Sequence, residues 1–212
     1  MRLRTVGYPQ TDPFRIFEST VEINDPNDFK QGDVLLLWGG QDIGTSLYHQ
    51  QPNRYTTQKE PSKRDLEEIE YIIAATRLDI PIIGICRGAQ LLTVMCGGYL
   101  IQHVADHGRS HEILCHTTGK TIKVNSAHHQ VCQPVAPAEI IASSINPVQA
   151  YDEVSEPFIL TEVPEIIHFP QIRALGVQFH PEWSDCPQEA VAFVTDCIVE
   201  YLINDTVEKE AA

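Results

Sequence analysis

The chain has 212 residues, 42% of them hydrophobic, which suits one compact domain with a proper core and argues against wholesale disorder. Acidic residues outnumber basic ones 29 to 15, and the net charge of −14 argues against a nucleic-acid or anionic-membrane partner. No apolar run is long enough to cross a bilayer, and no apolar stretch follows Met1-Arg2-Leu3-Arg4 as in a secretory leader, so the cytoplasm is the expected compartment.

A single domain over 1–212 is expected, with 208–212 a frayed tail. The opening segment is only weakly strand-like. Asp33-Val34-Leu35-Leu36-Leu37-Trp38 is a continuous apolar run ending in Gly39-Gly40, the pattern of a strand buried on both faces of a parallel sheet. From Ser62 to Leu78 the period changes. Leu66, Ile69, Ile72, Ile73 and Thr76 share one helical stripe, and Ser62 with Asp65 forms a capping box. The acidic run 65–70 reads as the solvated face of that helix. Ile80 to Ile85 reads as a second buried strand, followed at once by a helix from Gly88 to Val94. Thr121 to Val124 and Glu139 to Ala142 read as strands of a smaller antiparallel region. Ala174 to Phe179 is a further buried strand. Val191, Val194, Ile198 and Leu202 mark one face of a closing helix from Gln188 to Leu202. The alternation predicts an α/β fold, an open and mostly parallel twisted sheet flanked by helices.

Two stretches carry chemistry. In Gly84-Ile85-Cys86-Arg87-Gly88-Ala89-Gln90 a strand runs straight into a helix, with glycines two before and two after Cys86. That is the layout of a nucleophile elbow. It holds Cys86 at a helix N-terminus, where the macrodipole favours thiolate. The competing reading is a tight turn around a structural cysteine. The second stretch is Gly176-Val177-Gln178-Phe179-His180-Pro181-Glu182-Trp183. Residues two apart on an extended backbone point to the same side, so Glu182 can orient the His180 ring. A thiol, a base and a carboxylate in that order make a nucleophilic triad.

Glycine, Cys86, glycine and Gln90, followed 94 residues after the cysteine by His180-Pro181-Glu182, resemble the motif pair of the class I glutamine amidotransferases. Finer features are similar to the γ-glutamyl-γ-aminobutyrate hydrolase, or peptidase C26, group. These are Gly39-Gly40-Gln41-Asp42 with Tyr48, Arg64-Asp65 with Glu68, Gly97-Gly98, and Val124-Asn125-Ser126-Ala127-His128-His129-Gln130. The resemblance implies a cysteine-dependent hydrolase of γ-glutamyl amides with no metal and no cofactor. It implies an oxyanion hole from the N–H groups of Gly40 and Arg87, and a glutamyl head held by Gln90, His128 and His129. The partner is then a small γ-glutamyl molecule. A glutaminase passing ammonia to a separate synthetase is the alternative, and a non-catalytic glutamyl binder is a third. Thr45 and Gln149 depart from the family pattern, where proline and an acidic residue are usual, so the leaving amine is open.

His103, His107, His111, Cys115 and His116 are set aside as a zinc site. On a helix His107, His111 and Cys115 would share a face, but Gly108 and Ser110 interrupt any helix there. Six cysteines, at 86, 96, 115, 132, 186 and 197, form no CxxC pair and read as reduced thiols. Cys96, Cys132, Cys186 and Cys197 read as packing residues.

Overall fold

The computed structural model describes residues 1–7, 11–152 and 156–204. The expected tail at 208–212 lies outside the described residues. The strands are β1 (Arg2–Thr5), β2 (Ser19–Glu22), β3 (Asp33–Leu37), β4 (Ile82–Ile85), β5 (Tyr99–Ile101), β6 (His103–Val104) and β7 (His111–Cys115). They continue with β8 (Thr121–Val124), β9 (Val131–Gln133), β10 (Glu139–Ser144), β11 (Val148–Tyr151), β12 (Pro157–Leu160), β13 (Pro164–Phe169) and β14 (Ala174–Val177). The α-helices are α1 (Lys63–Arg77), α2 (Arg87–Met95) and α3 (Gln188–Ile198), and α3 runs on into a π-helical turn at Val199–Asn204. None of the described helices is long and apolar enough to cross a membrane.

Nine strands form one twisted sheet in the order β2-β1-β3-β4-β14-β13-β10-β7-β8. The first five pair in parallel. The remaining four join by antiparallel ladders. The expected antiparallel region prolongs the main sheet, and two small antiparallel sheets, β12-β11-β6 and β5-β9, accompany it. Burial explains the division. Every residue of β3, β4 and β14 is buried, as strands covered on both faces must be. β8 alternates exposed and buried, as an edge strand with one wet face does.

Alternate side chains of the central strands feed two cores. Leu36, Ile83 and Ile85 pack with Ala190, Val194 and Ile198 of α3. Leu35, Leu37 and Ile82 pack with Ile72 and Ala75 of α1 and Leu91 and Leu92 of α2. The Ser62–Asp65 capping box forms with both hydrogen bonds, 3.1 Å from the Asp65 N–H to Ser62 Oγ and 2.7 Å from the Ser62 N–H to Asp65 Oδ2. The solvated acidic face is the main correction to the reading of α1. Asp65 and Glu68 are both fully buried, because the Arg87 guanidinium inserts between α2 and α1 and pairs with them.

The turn from β4 into α2 needs its glycines. A β-carbon on Gly84 would lie 2.5 Å from the backbone carbon of Gly88, and one on Gly88 would lie 2.6 Å from the Leu37 carbonyl oxygen. Backbone cannot yield as a flexible side chain does. Gly84→Ala is expected to cost about 2–3 kcal/mol by overpacking. Urea denaturation checks this, and an unchanged midpoint would show that the strand and helix can part freely.

Candidate active site

β3, β4 and β14 are parallel neighbours, so their carboxyl ends share one edge of the sheet. Gly39-Gly40, Cys86 and His180 each lie just beyond one of these ends. In open parallel sheets this edge is where ligands bind.

Cys86 is the N-cap of α2, with φ 51° and ψ −104°. A non-glycine residue at positive φ with that ψ is strained, and it is held by its neighbours. Its N–H donates to the Val177 carbonyl at 2.7 Å, and its carbonyl accepts from the Gln90 N–H at 3.1 Å. The helix's first N–H groups have no intrahelical acceptors and point at the thiol's side of the turn.

His180 stands opposite. A β-carbon placed on Gly39 would lie 2.9 Å from His180 Cε1 and 3.5 Å from Cys86 Cβ, so ring and thiol flank the same glycine. His180 Nδ1 is 2.7 Å from Glu182 Oε1, which leaves Nε2 for other work. Trp183 stacks on the imidazole with centroids 3.8 Å apart and planes 10° apart. Asn125 holds the His180 backbone from both sides, accepting from its N–H at 3.1 Å and donating to its carbonyl at 3.0 Å. Burial disfavours the imidazolium, but the Cys86 sulfur and Glu182 outweigh it and push the His180 pKa up to about 9.

The segment around Gly40 is fixed by charge. Arg64 donates to the Gly39 carbonyl at 3.2 Å and to the Trp38 carbonyl at 3.0 Å, and its Nε pairs with Glu68 Oε1 at 2.7 Å. Glu68 also pairs with Arg87, and Arg87 with Asp65. One network thus ties together the two residues expected to form the oxyanion hole. A cleft of about 650 Å³ opens beside them, lined by Gly40, Asp42, Tyr55, Ser62, Arg64 and Arg87 among others. His129 reaches its rim, with Nε2 3.1 Å from Asp42 Oδ1. Gln90 is buried one turn along α2 from Cys86.

His128 is placed elsewhere. Its side chain is 1% exposed and lies 3.4 Å from Glu165 Oε1. His107 Nε2 and His111 Nε2 approach the same oxygen at 2.9 and 3.0 Å. The expected glutamyl-pocket role of His128 does not fit this position, because its ring is enclosed by the Glu165 cluster. Burial alone would raise the Glu165 carboxyl, but the three histidines outweigh it and hold it well below the usual carboxylate range. Glu165 was not singled out by sequence. Its signal was a lone acid in the apolar run Val163-Pro164-Glu165-Ile166-Ile167, since an acid is rarely fully buried unless paired. There is no helix at 107–115. His107 precedes β7, while His111 and Cys115 are its first and last residues. Cys115 bonds instead with Thr117 Oγ1 at 3.2 Å.

A model of the Peptidase C26 family matches residues 27–182. Protein NtpR of Enterococcus hirae is 30% identical over 177 residues, covering 72% of this chain and 67% of NtpR. The gamma-glutamyl-gamma-aminobutyrate hydrolase PuuD of Escherichia coli is 32% identical over 148 residues, covering 57% of this chain and 53% of PuuD. The aligned region thus spans about half the length of PuuD. A crystal structure of a glutamine amidotransferase from Thermotoga maritima superposes with a TM-score of 0.51 at 15% identity, covering 99% of this chain and 85% of that one, which shows a shared fold. With the family model matching residues 27–182, most of the chain, and the elbow in place at Cys86, the chain belongs to the peptidase C26 family.

Proposed function

We propose that the protein hydrolyses a γ-glutamyl amide bond through a γ-glutamyl thioester on Cys86. The observation that carries this reading is the His180 ring, set against the strained Cys86 and backed by Glu182. Cys86 loses its proton to His180 and attacks the γ-carbonyl carbon. The oxyanion is taken up by the N–H groups of Gly40 and Arg87. The tetrahedral intermediate collapses, the C–N bond breaks, and His180 gives its proton to the departing amine. His180 then takes a proton from water, which attacks the thioester. The C–S bond breaks, releasing the γ-carboxylate of glutamate and returning the thiol. Gln90 and His129 remain the proposed contacts of the glutamyl head, and the residence proposed is the cytoplasm.

The test is glutamate release from L-glutamine and from a panel of γ-glutamyl amines. Fast release from a γ-glutamyl amine with little from glutamine fits a free-standing hydrolase. Selectivity for glutamine fits a glutaminase that serves a separate synthetase, a reading favoured by the fold shared with a glutamine amidotransferase. Silence on every substrate, with the folded protein binding glutamate, would instead fit a binder.

The His180 pKa fixes a pH dependence. A pKa raised from 6.5 to about 9 means that the charged ring stabilises the fold fully below pH 6.5, and that this is lost as pH rises through 9. Above that pH the ring no longer carries the proton that the departing amine needs, so kcat/KM is expected to fall along an alkaline limb above about pH 9. Glu182→Gln removes the carboxylate, moves that limb to lower pH and reduces kcat by about 10²–10⁴-fold. An unmoved limb in this variant would remove Glu182 from the role.

A further inference from the structure

The cluster around Glu165 is separate from the thiol chemistry, and its polar atoms are arranged in an unusual way. Three imidazole Nε2 atoms, from His107, His111 and His128, lie 2.9, 3.0 and 3.4 Å from a single carboxylate oxygen, Glu165 Oε1. The outer nitrogens of two of these rings face carbonyl oxygens. His111 Nδ1 is 3.1 Å from the Arg109 carbonyl, and His128 Nδ1 is 2.9 Å from the Gln130 carbonyl. A carbonyl only accepts, so each Nδ1 carries the ring proton. Without a cation, a second ring proton on Nε2 is needed to donate to the carboxylate; with a cation bound, the neutral ring turns its Nε2 lone pair to the metal instead. Three ring nitrogens converging on one buried carboxylate oxygen are also a good ligand set. Histidine ligands characteristically donate their far N–H to a backbone carbonyl in this way.

We propose that His107, His111, His128 and Glu165 bind a divalent transition cation, with zinc the best match. Ligand atoms about 2.0–2.1 Å from a tetrahedral zinc lie about 3.3 Å apart, close to the spacing of the three Nε2 atoms from Oε1. The candidate donor atoms of His107, His111 and Glu165 all lie within 4.8 Å of one another. His128 Nε2 and Glu165 Oε2 are buried without hydrogen-bond partners, so polar atoms inside the cluster are left to be satisfied. A cleft of about 290 Å³ opens onto His107 and His111 and gives an ion a way in.

The fold gives such an ion a structural task. Ser126 Oγ donates to the His107 carbonyl at 2.7 Å, and the Gln178 N–H donates to the Glu165 carbonyl at 2.8 Å. Asn125, next in the chain to Ser126, clamps the His180 backbone. A cation here joins the 107–111 loop, the 125–130 segment and β13 underneath the residues that carry His180. It takes no part in the acyl transfer.

The experiment is cobalt(II) and zinc(II) titration of chelator-stripped protein, with His111→Ala as the main variant because its side chain is at the open edge of the cluster. The expected result is one equivalent of cobalt with a visible d–d spectrum, no thiolate charge-transfer band, displacement by zinc and a raised Tm. His111→Ala is expected to lose at least about 100-fold in zinc affinity while keeping the fold and its apo Tm. His129→Ala, outside the cluster, is expected to bind as the wild type does. A thiolate charge-transfer band, a wild-type affinity no tighter than that of His111→Ala, or the absence of any d–d spectrum would overturn the proposal. These readouts are independent of glutamate release, so the metal site and the hydrolase reading stand or fall separately.

Discussion

Cys86→Ala is expected to lower glutamate release by at least about 10⁴-fold, the scale on which removal of a nucleophile acts when the other groups stay in place. Of the other thiols only Cys115, at the end of β7, is lowered, burial raising it less than its hydrogen bonds with Thr117 and Thr118 lower it, so Cys115→Ala is the control and is expected to leave release unchanged. Burial pushes Cys96, Cys132 and Cys197 up to about 12 and Cys186 up to about 11, so all four stay protonated and unreactive near neutral pH. Cys86→Gly is expected to be equally inactive yet more stable than the parent. A residue held at φ 51° and ψ −104° costs about 1–3 kcal/mol, which glycine does not incur. Progress curves for release and thermal denaturation of the two variants check both halves. Activity in either variant, or a Tm for Cys86→Gly below that of the alanine variant, would show that the elbow stores no strain for a nucleophile.

Arg87→Met is expected to destabilise the fold by about 3–5 kcal/mol, because it leaves buried Asp65 without a cation and Glu68 with Arg64 alone. Arg87 is 2% exposed, and Asp65 and Glu68 are both at 0%. Methionine replaces the aliphatic stem, so the loss comes from charge and not from an empty cavity. For a chain of this length the Tm should fall by about 10 °C. Glu68 keeps its bond to Arg64, and Asp65 keeps its bonds to the Ser62 and Gly44 N–H groups, which places the effect toward the lower end. Adding Asp65→Asn recovers part of the loss, since it removes the buried charge that is left without a cation and can still accept from the Ser62 N–H. The comparison needs only denaturation curves. A single variant as stable as the parent, or a double variant less stable than the single, would contradict the buried-charge account.

These two sites differ in how far the sequence disclosed them. The elbow was legible because it depends on local rules: a buried apolar run, flanking glycines and a helix that starts at once. The His180–Glu182 pair was legible from its spacing, but not for the expected reason: β14 ends at Val177, and the pair sits in a turn closed by the Trp183 N–H on the His180 carbonyl at 3.3 Å. The α1 face was legible only through the family resemblance, which gave Asp65 or Glu68 a structural hydrogen bond; by themselves the two belong to a stripe that any solvated helix could carry. Only the arrival of Arg87 from α2, 19 and 22 residues away, makes burial tolerable. The Glu165 cluster was hidden for the same reason. Its histidines are 54 to 58 residues from the carboxylate in two cases, and the sequence brings His107 and His111 together only on a helix, which Gly108 and Ser110 rightly rule out. β13 itself was missed because its run opens on Pro164 and carries an acid. The short strands β5, β6, β9, β11 and β12 hold too few residues for a period to show.

The central claim is that Cys86 forms a covalent γ-glutamyl intermediate. Peptide mapping by mass spectrometry after brief exposure to a diazo-ketone analogue of glutamine tests it most directly, because the analogue needs a competent thiolate and an occupied glutamyl site together. The account predicts one equivalent of label per chain, on Cys86, blocked by excess glutamate and slowed strongly in His180→Ala. Label spread slowly and evenly over Cys115 and the remaining cysteines, unaffected by glutamate, would contradict it.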